Sequence, residues 1–451
     1  MIKKILIANR GEIASRIIRT CRKMGIASVA VYSEADKDAP YVSEADEAYL
    51  LGGPRVNESY LNATKIFEIA KLTNCNAVHP GYGFLSEDAN FARKCAKEDL
   101  IFIGPHPDVI EKMGNKVAAR KLMELCGLPV VPGLSRPLVD SKEAVVEAKR
   151  IGYPVMLKAA AGGGGIGMQV ANSEAELLKI YEGNQKRALM FFGNGEMFIE
   201  KLIEKPRHIE IQVLADSFGH GVYLWERECS IQRRHQKVFE EAPSPFLDDE
   251  MRKAMGNAVV KAVEAIGYYN AGTFEFLVDS DKNYYFLEMN TRLQVEHPVT
   301  EEITGLDLVE QQIRIAQGEK LAFTQAEINR DGHSIEVRIY AEDPITFLPS
   351  PGKITALKVP QKEYIRHELA VDNRSIVSHF YDPMIAKLIV KGSTRSQAIQ
   401  RLIEALDLYK VEGIKTNLPL LKEIAVHEKY KQGETTTDFI DRYIKNNSTT
   451  I

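Results

Sequence analysis

The feature that most constrains this chain is an alternating polar segment, YFLEMNTRLQVEHP, at residues 285–298. Its polar residues occupy every second position: Glu288, Asn290, Arg292, Gln294 and Glu296. Successive side chains of a β-strand point to opposite faces, so a continuous strand would place all of these on one side. The segment therefore predicts a strand that presents carboxylates, amides and a guanidinium to a common site.

A further glutamate, Glu275, lies in the strand-like run 272–278, and the polar stretch 279–283 is typical of a hairpin connection. Glu275 and Glu288 would then face each other. Like charges on neighbouring strands are unfavourable unless a cation lies between them. Two carboxylates and the amide oxygen of Asn290 suit Mg²⁺ or Mn²⁺. The alternative is a solvated hairpin whose acidic side chains point to water.

The length and composition are those of a globular protein with several domains. A chain of 451 residues exceeds the usual size of one core, so we expect two to four domains. The net charge of -4 gives no basic footprint for nucleic acid or a membrane surface. The five cysteines contain no C-x-x-C pair, which argues against zinc and disulfides. With no signal-like or membrane-spanning apolar run, the sequence predicts a soluble cytoplasmic protein.

Residues 1 to about 112 alternate short apolar runs with helical patterns. The apolar runs at 5–8, 28–32, 77–78 and 101–103 predict strands, and the patterns at 12–24, 59–72 and 86–97 predict helices. This order is typical of an open parallel sheet of the Rossmann type. The first strand-to-helix turn has a single glycine, Gly11, and no G-x-G-x-x-G fingerprint, so we do not expect NAD binding.

A second turn, HPGYGFLSE at residues 79–87, follows another predicted strand, where open sheets usually place ligands. Gly81 and Gly83 would let a flat ligand approach the backbone. Alternatively, the glycines serve the turn alone and Ser86 caps the next helix.

Four consecutive glycines at 162–165 follow the strand-like run 154–158. Packing does not account for them, because glycine loses backbone entropy on folding and has no side chain to bury. A bare, mobile backbone that donates N–H groups to phosphates would account for the four glycines. Lys158 would add a positive charge. No Walker motif follows. A flexible linker is the alternative, which the returning strand predicted at 168–170 disfavours.

Three later segments carry further polar groups. Glu200 would present an acceptor, with backbone groups, to the amino edge of an adenine. His208 lies on the polar face of the alternating run 207–213, where a surface histidine is the simpler interpretation. The run 228–237 would carry cations on both faces of an extended chain and predicts either a solvated basic face or a small-anion site.

Taken in order, these motifs resemble biotin carboxylase of the ATP-grasp superfamily. The resemblance is carried by Lys116, Lys158, the tetraglycine, Glu200 and Lys201, His208, RRHQK at 233–237, Glu275 and EMNTRLQVEH at 288–297. It extends from NRGE at 9–12 to beyond YDPMIAK at 381–387. The run at 288–297 is far more specific than any glycine loop.

The resemblance implies an ATP-grasp fold that mixes α/β and α+β architecture. The expected divisions are a Rossmann-like N-terminal domain at 1–112, a helical linker at 113–130, a mobile lid at 131–204, a catalytic and C-terminal domain at 205–446 and a tail at 447–451.

The resemblance also implies roles for individual residues. ATP would be bound by Lys116, Lys158, Gly163, Gly164, Gly165, Glu200, Lys201, Ile203, His208, Gln232, His235, Glu275 and Glu288. Two Mg²⁺ or Mn²⁺ ions would lie on Glu275, Glu288 and Asn290. Bicarbonate would contact Lys237, Arg292, Gln294 and Val295, and biotin would contact Tyr82, Gly83 and Arg338. Glu296 would act as the general base, with Arg338, Arg292 and Lys237 as the other catalytic residues.

In the implied reaction, ATP and bicarbonate give carboxyphosphate, which breaks down to CO₂ and phosphate. The phosphate takes the N1 proton of biotin, and biotin attacks CO₂. Without a Met-Lys-Met biotinylation site, the chain is expected to receive biotin on a separate carrier protein and to work with a separate carboxyltransferase subunit. A homodimer is expected, in which Arg19 and Arg366 either contribute or are solvated surface residues.

One position departs from the family pattern: Ile166 stands where a basic residue usually follows the glycines. Two other functions are weighed against the resemblance. Another ATP-grasp ligase would share the lid and metal strands but would not need Arg292, Gln294 and Glu296 around a small anion. A nucleotide-binding regulatory subunit would be expected to lack a metal carboxylate or the base.

Overall fold

The structure is a computed structural model that describes residues 1–134, 136–160 and 167–445. The tetraglycine loop, with Gly163, Gly164, Gly165 and Ile166, lies outside the described residues, and so does the predicted tail at 447–451.

The N-terminal part forms a five-stranded parallel sheet with the strand order β3-β2-β1-β4-β5. Its strands are β1 (Lys4–Ile7), β2 (Ala27–Ser33), β3 (Glu47–Gly52), β4 (Ala77–His79) and β5 (Ile101–Phe102). They are connected by α1 (Gly11–Met24), α2 (Pro40–Glu44), α3 (Ala63–Leu72) and α4 (Ala89–Lys97). The predicted Rossmann-like sheet is confirmed. Its half-exposed edge strand β3 was not predicted.

Strand β1 shows why an all-apolar run is needed here. Ile5 and Ile7 belong to one hydrophobic core and Leu6 to another, and all of them are fully buried. A parallel strand covered on both faces has no polar side, so its sequence does not alternate.

Two helices, α5 (Pro107–Gly114) and α6 (Lys116–Leu125), lead to a small separate unit. This unit contains α7 (Ser141–Ile151), β6 (Val155–Ala159), β7 (Met168–Ala171), α8 (Glu174–Phe192) and β8 (Met197–Lys201). Its antiparallel sheet has the order β7-β6-β8. Leu157, Leu177 and Tyr181 help to form a core of its own. The returning strand predicted at 168–170 is confirmed.

The largest layer is an eight-stranded antiparallel sheet with the order β13-β12-β9-β10-β11-β14-β19-β17. Its strands are β9 (Arg207–Ala215), β10 (Gly221–Arg233), β11 (Gln236–Ala242), β12 (Asn270–Val278), β13 (Tyr284–Asn290), β14 (His333–Tyr340), β17 (Ile365–Leu369) and β19 (Met384–Gly392). Every residue of β9 and of β14 is buried, so both faces of the sheet are covered. The polar face expected for His208 is therefore inside the protein.

Helices and short strands complete this part. They are α9 (Asp249–Ala265), α10 (His297–Thr304), α11 (Leu308–Ala316), β15 (Gly352–Lys353), β16 (Ala356–Lys358), β18 (Ile376–Val377), α12 (Arg395–Leu408), β20 (Lys410–Glu412), α13 (Leu418–Val426) and α14 (Glu428–Lys431). A π-helical segment spans Ile440–Ile444. The helix predicted near 396–408 is confirmed as α12.

The hairpin β12–β13 has the predicted register, because Glu275 and Glu288 are direct partners. The backbone N–H groups of Asp281 and Asn283 donate to Asp279 Oδ1 and form the connection. The prediction of a continuous strand through Glu296 is wrong, because β13 ends at Asn290. The chain then turns towards α10, so Arg292, Gln294 and Glu296 are not placed by strand alternation.

The extended chain predicted across 228–237 is also wrong. Arg234 and His235 both have left-handed backbone angles, with φ of 50° and 64°, between the paired residues Arg233 and Gln236. Two such residues make the tight turn that suits a two-residue hairpin. The turn places His235 and Lys237 at the end of the β10–β11 hairpin.

We expect the small unit to depend on its own core. Leu177 is fully buried on α8 and its neighbour Leu178 is 45% exposed. Leu177→Ala should lower the local free energy of unfolding by about 2–5 kcal/mol, because it deletes buried methyl groups and leaves a cavity. Leu178→Ala should change it by less than about 0.5 kcal/mol. Hydrogen exchange of the α7, α8 and β6 amides measures both, and equal effects would contradict this packing.

A buried ion pair also ties α12 to the large sheet. Arg395 donates to both oxygens of Glu241, from Nε at 2.7 Å and Nη2 at 3.0 Å, and His333 Nε2 lies 2.6 Å from Glu241 Oε2. Burial alone would raise the pKa of Glu241, but Arg395 and His333 lower it to about 2. The folded protein therefore holds this carboxylate ionised at pH values where the unfolded chain protonates it.

Stability at acid pH should show this effect. The contribution of Glu241, about 3 kcal/mol, is fully present above its unfolded pKa of about 4.5 and is lost as the pH falls towards about 2. Glu241→Gln should therefore flatten the loss of stability over that range. Urea unfolding at each pH measures the free energy of unfolding. The fluorescence of Trp225, the only tryptophan, monitors the transition, and this residue lies on the same sheet as Glu241. The exposed Glu264→Gln is the control, and an equal pH dependence in all three proteins would refute the assignment.

Candidate active site

One open cleft, with a volume of about 1220 Å³, brings together residues from all parts of the chain. It is lined by every predicted site residue that the structure describes: Tyr82, Gly83, Lys116, Lys158, Glu200, Lys201, Ile203, His208, Gln232, His235, Lys237, Glu275, Glu288, Asn290, Arg292, Gln294, Val295, Glu296 and Arg338. These positions are separated by up to 256 residues in sequence, from 82 to 338, so the fold alone assembles them.

In the cleft, one ammonium group lies among three carboxylates. Lys237 Nζ is 2.6 Å from Glu210 Oε2, 2.9 Å from Glu275 Oε1 and 2.6 Å from Glu296 Oε1. Although burial favours the neutral amine, these carboxylates raise the pKa of Lys237 well above its usual value. The group is therefore a fixed positive charge.

Glu296 is held between two cations. Its Oε1 accepts from Lys237, and its Oε2 accepts from Arg338 Nη2 at 2.8 Å. Burial by itself would raise the pKa of Glu296, but Lys237 and Arg338 hold it well below the usual range. Glu296 is therefore ionised at neutral pH although it is only 2% exposed.

Arg338 comes from β14 and has a second carboxylate partner. Its Nε donates to Glu240 Oε1 on the neighbouring strand β11 at 2.6 Å. The guanidinium thus spans Glu240 and Glu296, and its orientation is fixed from both sides.

Arg292 is positioned by a residue of the N-terminal part. Glu87 Oε2 accepts from Arg292 Nε at 2.9 Å, and Glu87 Oε1 accepts from the backbone N–H of Thr291 at 3.1 Å. Arg292 Nη2 donates to Asn290 Oδ1 at 2.9 Å and Nη1 to the Leu293 carbonyl at 3.2 Å. Among the described residues, each terminal nitrogen of Arg292 has one partner, so each keeps one N–H that could donate to an anion.

The carboxylates of the β12–β13 hairpin differ in environment. Glu275 is buried and accepts from Asn290 Nδ2 at 2.9 Å and Gln294 Nε2 at 2.8 Å. The side chain of Glu288 is 38% exposed, with Lys116 Nζ 3.5 Å away. His208, Glu210 and Glu275 also bring ligand-type atoms within 4.8 Å of one another. Lys237 and Lys116 thus place positive charge beside Glu275 and Glu288.

Elsewhere in the cleft, Lys158 of β6 forms an ion pair with Glu200 of β8. Arg120 Nη1 lies 3.6 Å from Glu200. The ammonium of Lys201 turns away to the carbonyls of Gly152 and Tyr153, at 3.0 and 3.1 Å. His208 Nδ1 contacts Gln232 Nε2 at 3.1 Å, so the simpler interpretation of His208 as a surface histidine is wrong.

The turn that carries Tyr82 and Gly83 forms one wall. Asn9 Nδ2 donates to the carbonyls of Pro80 and Tyr82, both at 2.7 Å, which ties the turn to the end of β1. Gly83 has a φ of 67°, the left-handed region that glycine adopts without strain. Ser86 does not cap α4 as the alternative interpretation proposed, because Asp88 accepts the first N–H groups of that helix.

Four residues that complete the site were missed as functional candidates: Glu210, Arg227, Glu240 and Glu87. Arg227 is fully buried and donates to Glu210 and to Gln212 Oε1 at 2.7 Å. The strict alternation of β9 signals that Glu210 shares a face with His208 and Gln212, but only the folded sheet shows that this face is buried against Lys237.

Arg19 and Arg366 are linked through Glu368. Arg366 lies 2.7 Å from Glu368 and 2.8 Å from Glu301, and Arg19 also contacts Glu368. Arg366 is therefore part of a buried ion network, whereas the side chain of Arg19 is 45% exposed. Within residues 1–134, 136–160 and 167–445, no helix is long and apolar enough to cross a membrane.

Comparison with known proteins accounts for this arrangement. Family models described as the biotin carboxylase N-terminal domain, the carbamoyl-phosphate synthase L chain ATP-binding domain and the biotin carboxylase C-terminal domain match residues 1–110, 115–324 and 336–442. Biotin carboxylase 2 of Bacillus subtilis is 63% identical over 98% of this chain and 100% of its own length.

Solved structures agree in fold. A biotin carboxylase of Campylobacter jejuni in complex with β,γ-ATP superposes with a TM-score of 0.96 at 47% identity, covering 98% of this chain and 99% of that one. The biotin carboxylase domain dimer of a Hydrogenobacter thermophilus 2-oxoglutarate carboxylase, with MgADP, ADP and bicarbonate, gives 0.95 at 48% identity, covering 98% of each chain. The chain belongs to the biotin carboxylase family of ATP-grasp enzymes, ligases that carboxylate biotin with ATP and bicarbonate.

Proposed function

We propose that this chain forms carboxyphosphate from ATP and bicarbonate at the Lys237 cluster and carboxylates biotin at Arg338. The observation that carries the proposal is the ionised Glu296, held by Lys237 and Arg338 in a cleft that Arg292 also lines. The cleft thus offers a base, N–H donors for an anion and a fixed positive charge within one enclosure.

The remainder of the cleft suits a nucleotide. Lys116 and Lys158 supply charge for phosphates, and the cleft is also lined by Glu200, residues 201–203, His208, Gln232 and His235. Gly163, Gly164 and Gly165 would add backbone N–H groups, as the resemblance implies. Lys201 would contribute through its backbone, because its ammonium is bound to two carbonyls.

The residues also fit the two divalent ions of the proposal. Glu275, Glu288 and Asn290 supply oxygen atoms, which Mg²⁺ and Mn²⁺ prefer. The two carboxylates already lie next to cations, Glu275 beside Lys237 and Glu288 beside Lys116. When bound, the ions would neutralise charge on the transferring phosphoryl group.

Bicarbonate would enter beside Lys237, Arg292, Gln294 and the backbone of Val295. There it must replace one of the contacts that Lys237 makes with carboxylates, so its binding exchanges one anion for another around the same ammonium. Glu296 takes the bicarbonate proton, and the freed oxygen attacks the γ-phosphorus of ATP while ADP leaves. Carboxyphosphate then yields CO₂ and phosphate.

Biotin would lie against Tyr82 and Gly83, with its ureido oxygen near Arg338. Phosphate removes the N1 proton, the guanidinium of Arg338 stabilises the negative charge that develops on the ureido oxygen, and N1 attacks CO₂. Water would hydrolyse carboxyphosphate, so we assign the unit with α7, α8 and the tetraglycine loop to the role of a lid.

The domain divisions and partners belong to the same proposal. Residues 1–112, 131–204 and 205–446 would act as the N-terminal, lid and catalytic domains around the helices of 113–130. Biotin would arrive on a separate carrier protein, and a carboxyltransferase subunit would receive the product. A homodimer would involve the network of Arg19, Arg366 and Glu368.

Glu296→Gln tests the proposed base. The amide keeps the shape but cannot accept the bicarbonate proton, so bicarbonate-dependent ATP cleavage should fall by about 10²–10⁴-fold. Phosphate release with and without bicarbonate measures the effect, and ATP binding should be unchanged. Glu319→Gln, at a half-exposed position paired with Arg314, is the control. A near-normal rate in Glu296→Gln would remove Glu296 from this role.

A further inference from the structure

Two buried glutamates on neighbouring strands lie next to Arg338. Glu240 of β11 and Glu336 of β14 are direct partners in the antiparallel ladder, and they are 1% and 0% exposed. Directly paired residues project from the same face of a sheet. Helix α10 covers this face, since its Val299 and Ile303 pack against Ala242 and Ile389 there. The two carboxyl groups are therefore buried together on this face.

In the described part of the chain, only one of the four carboxyl oxygens has a donor. Glu240 Oε1 accepts from Arg338 Nε at 2.6 Å, whereas Glu240 Oε2 and both oxygens of Glu336 have no hydrogen-bond partner among the described residues. Two ionised carboxylates buried side by side without donors are strongly unfavourable. A single proton on the pair removes one of the charges and supplies one donor.

The surrounding charges leave this proton on Glu336. Arg338 bonds directly to Glu240 and thereby favours its ionised form. Near Glu336, the ammonium of Lys387 donates to the Val295 carbonyl at 2.7 Å and lies 3.3 Å from Glu12. Because it serves these two partners, Lys387 favours an ionised Glu336 less than Arg338 favours an ionised Glu240.

Other titratable groups of the neighbouring elements are engaged elsewhere. Glu296 and Lys237 bond to each other, Glu301 of α10 pairs with Arg16, and burial holds the pKa of His297 well below its usual value. Burial also raises the pKa of Glu336 well above its usual value and that of Glu240 to about 7. These directions agree with one proton on the pair.

We propose that Glu240 is a positioning residue for Arg338 in the biotin half-reaction, and that a protonated Glu336 keeps Glu240 ionised. This inference rests on the proposed function. Before bicarbonate reacts, Glu296 and Glu240 hold the guanidinium from two sides. When Glu296 takes the bicarbonate proton, its hold weakens, and Glu240 is the anion that keeps Arg338 in place for biotin. The proton on Glu336 is not transferred in the reaction.

The two glutamates should respond differently to the same change. Glu240→Gln removes the charge that orients Arg338, so stimulation of ATP cleavage by biotin should fall about 10–100-fold, as for partners that orient an active-site group. Cleavage with bicarbonate alone should fall much less, because Lys237 still holds Glu296. Glu336→Gln replaces a neutral acid with a neutral amide and should preserve both rates.

Infrared spectroscopy gives an independent readout. In difference spectra against the unsubstituted protein at neutral pH, the C=O band of buried protonated carboxylic acids should lose intensity in Glu336→Gln and keep it in Glu240→Gln. Glu342→Gln is a matched control, because Glu342 is also buried, pairs with Arg233 at 2.7 Å and has a pKa raised by burial to about 7. It should leave biotin stimulation unchanged.

Each contrary result has a distinct meaning. Normal biotin stimulation in Glu240→Gln, or equal losses with and without biotin, would overturn the positioning role. Loss of stimulation in Glu336→Gln, or an unchanged band, would overturn the assignment of the proton. Absence of bicarbonate-dependent ATP cleavage in the unsubstituted protein would instead reject the proposed function.

Discussion

The site depends on the contact between the ammonium of Lys237 and the carboxylates of Glu210, Glu275 and Glu296. Three buried anions at this separation repel one another, and removing one partner from such a network costs roughly 3–5 kcal/mol. Lys237 stands on the β10–β11 hairpin, and its partners come from β9, β12 and the connection to α10. One cation thus fixes the relative positions of four chain segments and keeps Glu296 ionised.

The charged groups of this network are already oriented before a charged substrate binds. Arg227 holds Glu210 from behind, Arg338 holds Glu296, and Glu87 holds Arg292. Arg292 and Arg338, which would meet bicarbonate and biotin, are thus each oriented by a carboxylate, Glu87 and Glu240. Binding an anion then requires an exchange of partners around fixed groups, which costs less than ordering flexible side chains.

Much of this arrangement is predictable from local pattern. The register of Glu275 with Glu288 follows from two alternating runs and a short polar connection, and the parallel sheet follows from apolar runs such as 5–8. The path after Asn290 is not predictable in this way, because Glu87, some 204 residues distant, binds the turn at Thr291 and Arg292. The turn at Arg234 and His235 was missed because non-glycine residues adopt left-handed angles there. Glu210 and Glu240 escaped notice because alternation shows which residues share a face but not whether that face is buried.

The most direct test of the account follows the oxygen atoms of bicarbonate. If bicarbonate attacks the γ-phosphorus of ATP, the phosphate released from ¹⁸O-labelled bicarbonate must carry one labelled oxygen, since the new P–O bond survives the loss of CO₂. Mass spectrometry of the phosphate formed by the purified protein would show this. Phosphate without the label, whose new oxygen comes from solvent, would mean that water attacks ATP, and it would contradict the assignment of the Lys237 cluster to carboxyphosphate formation.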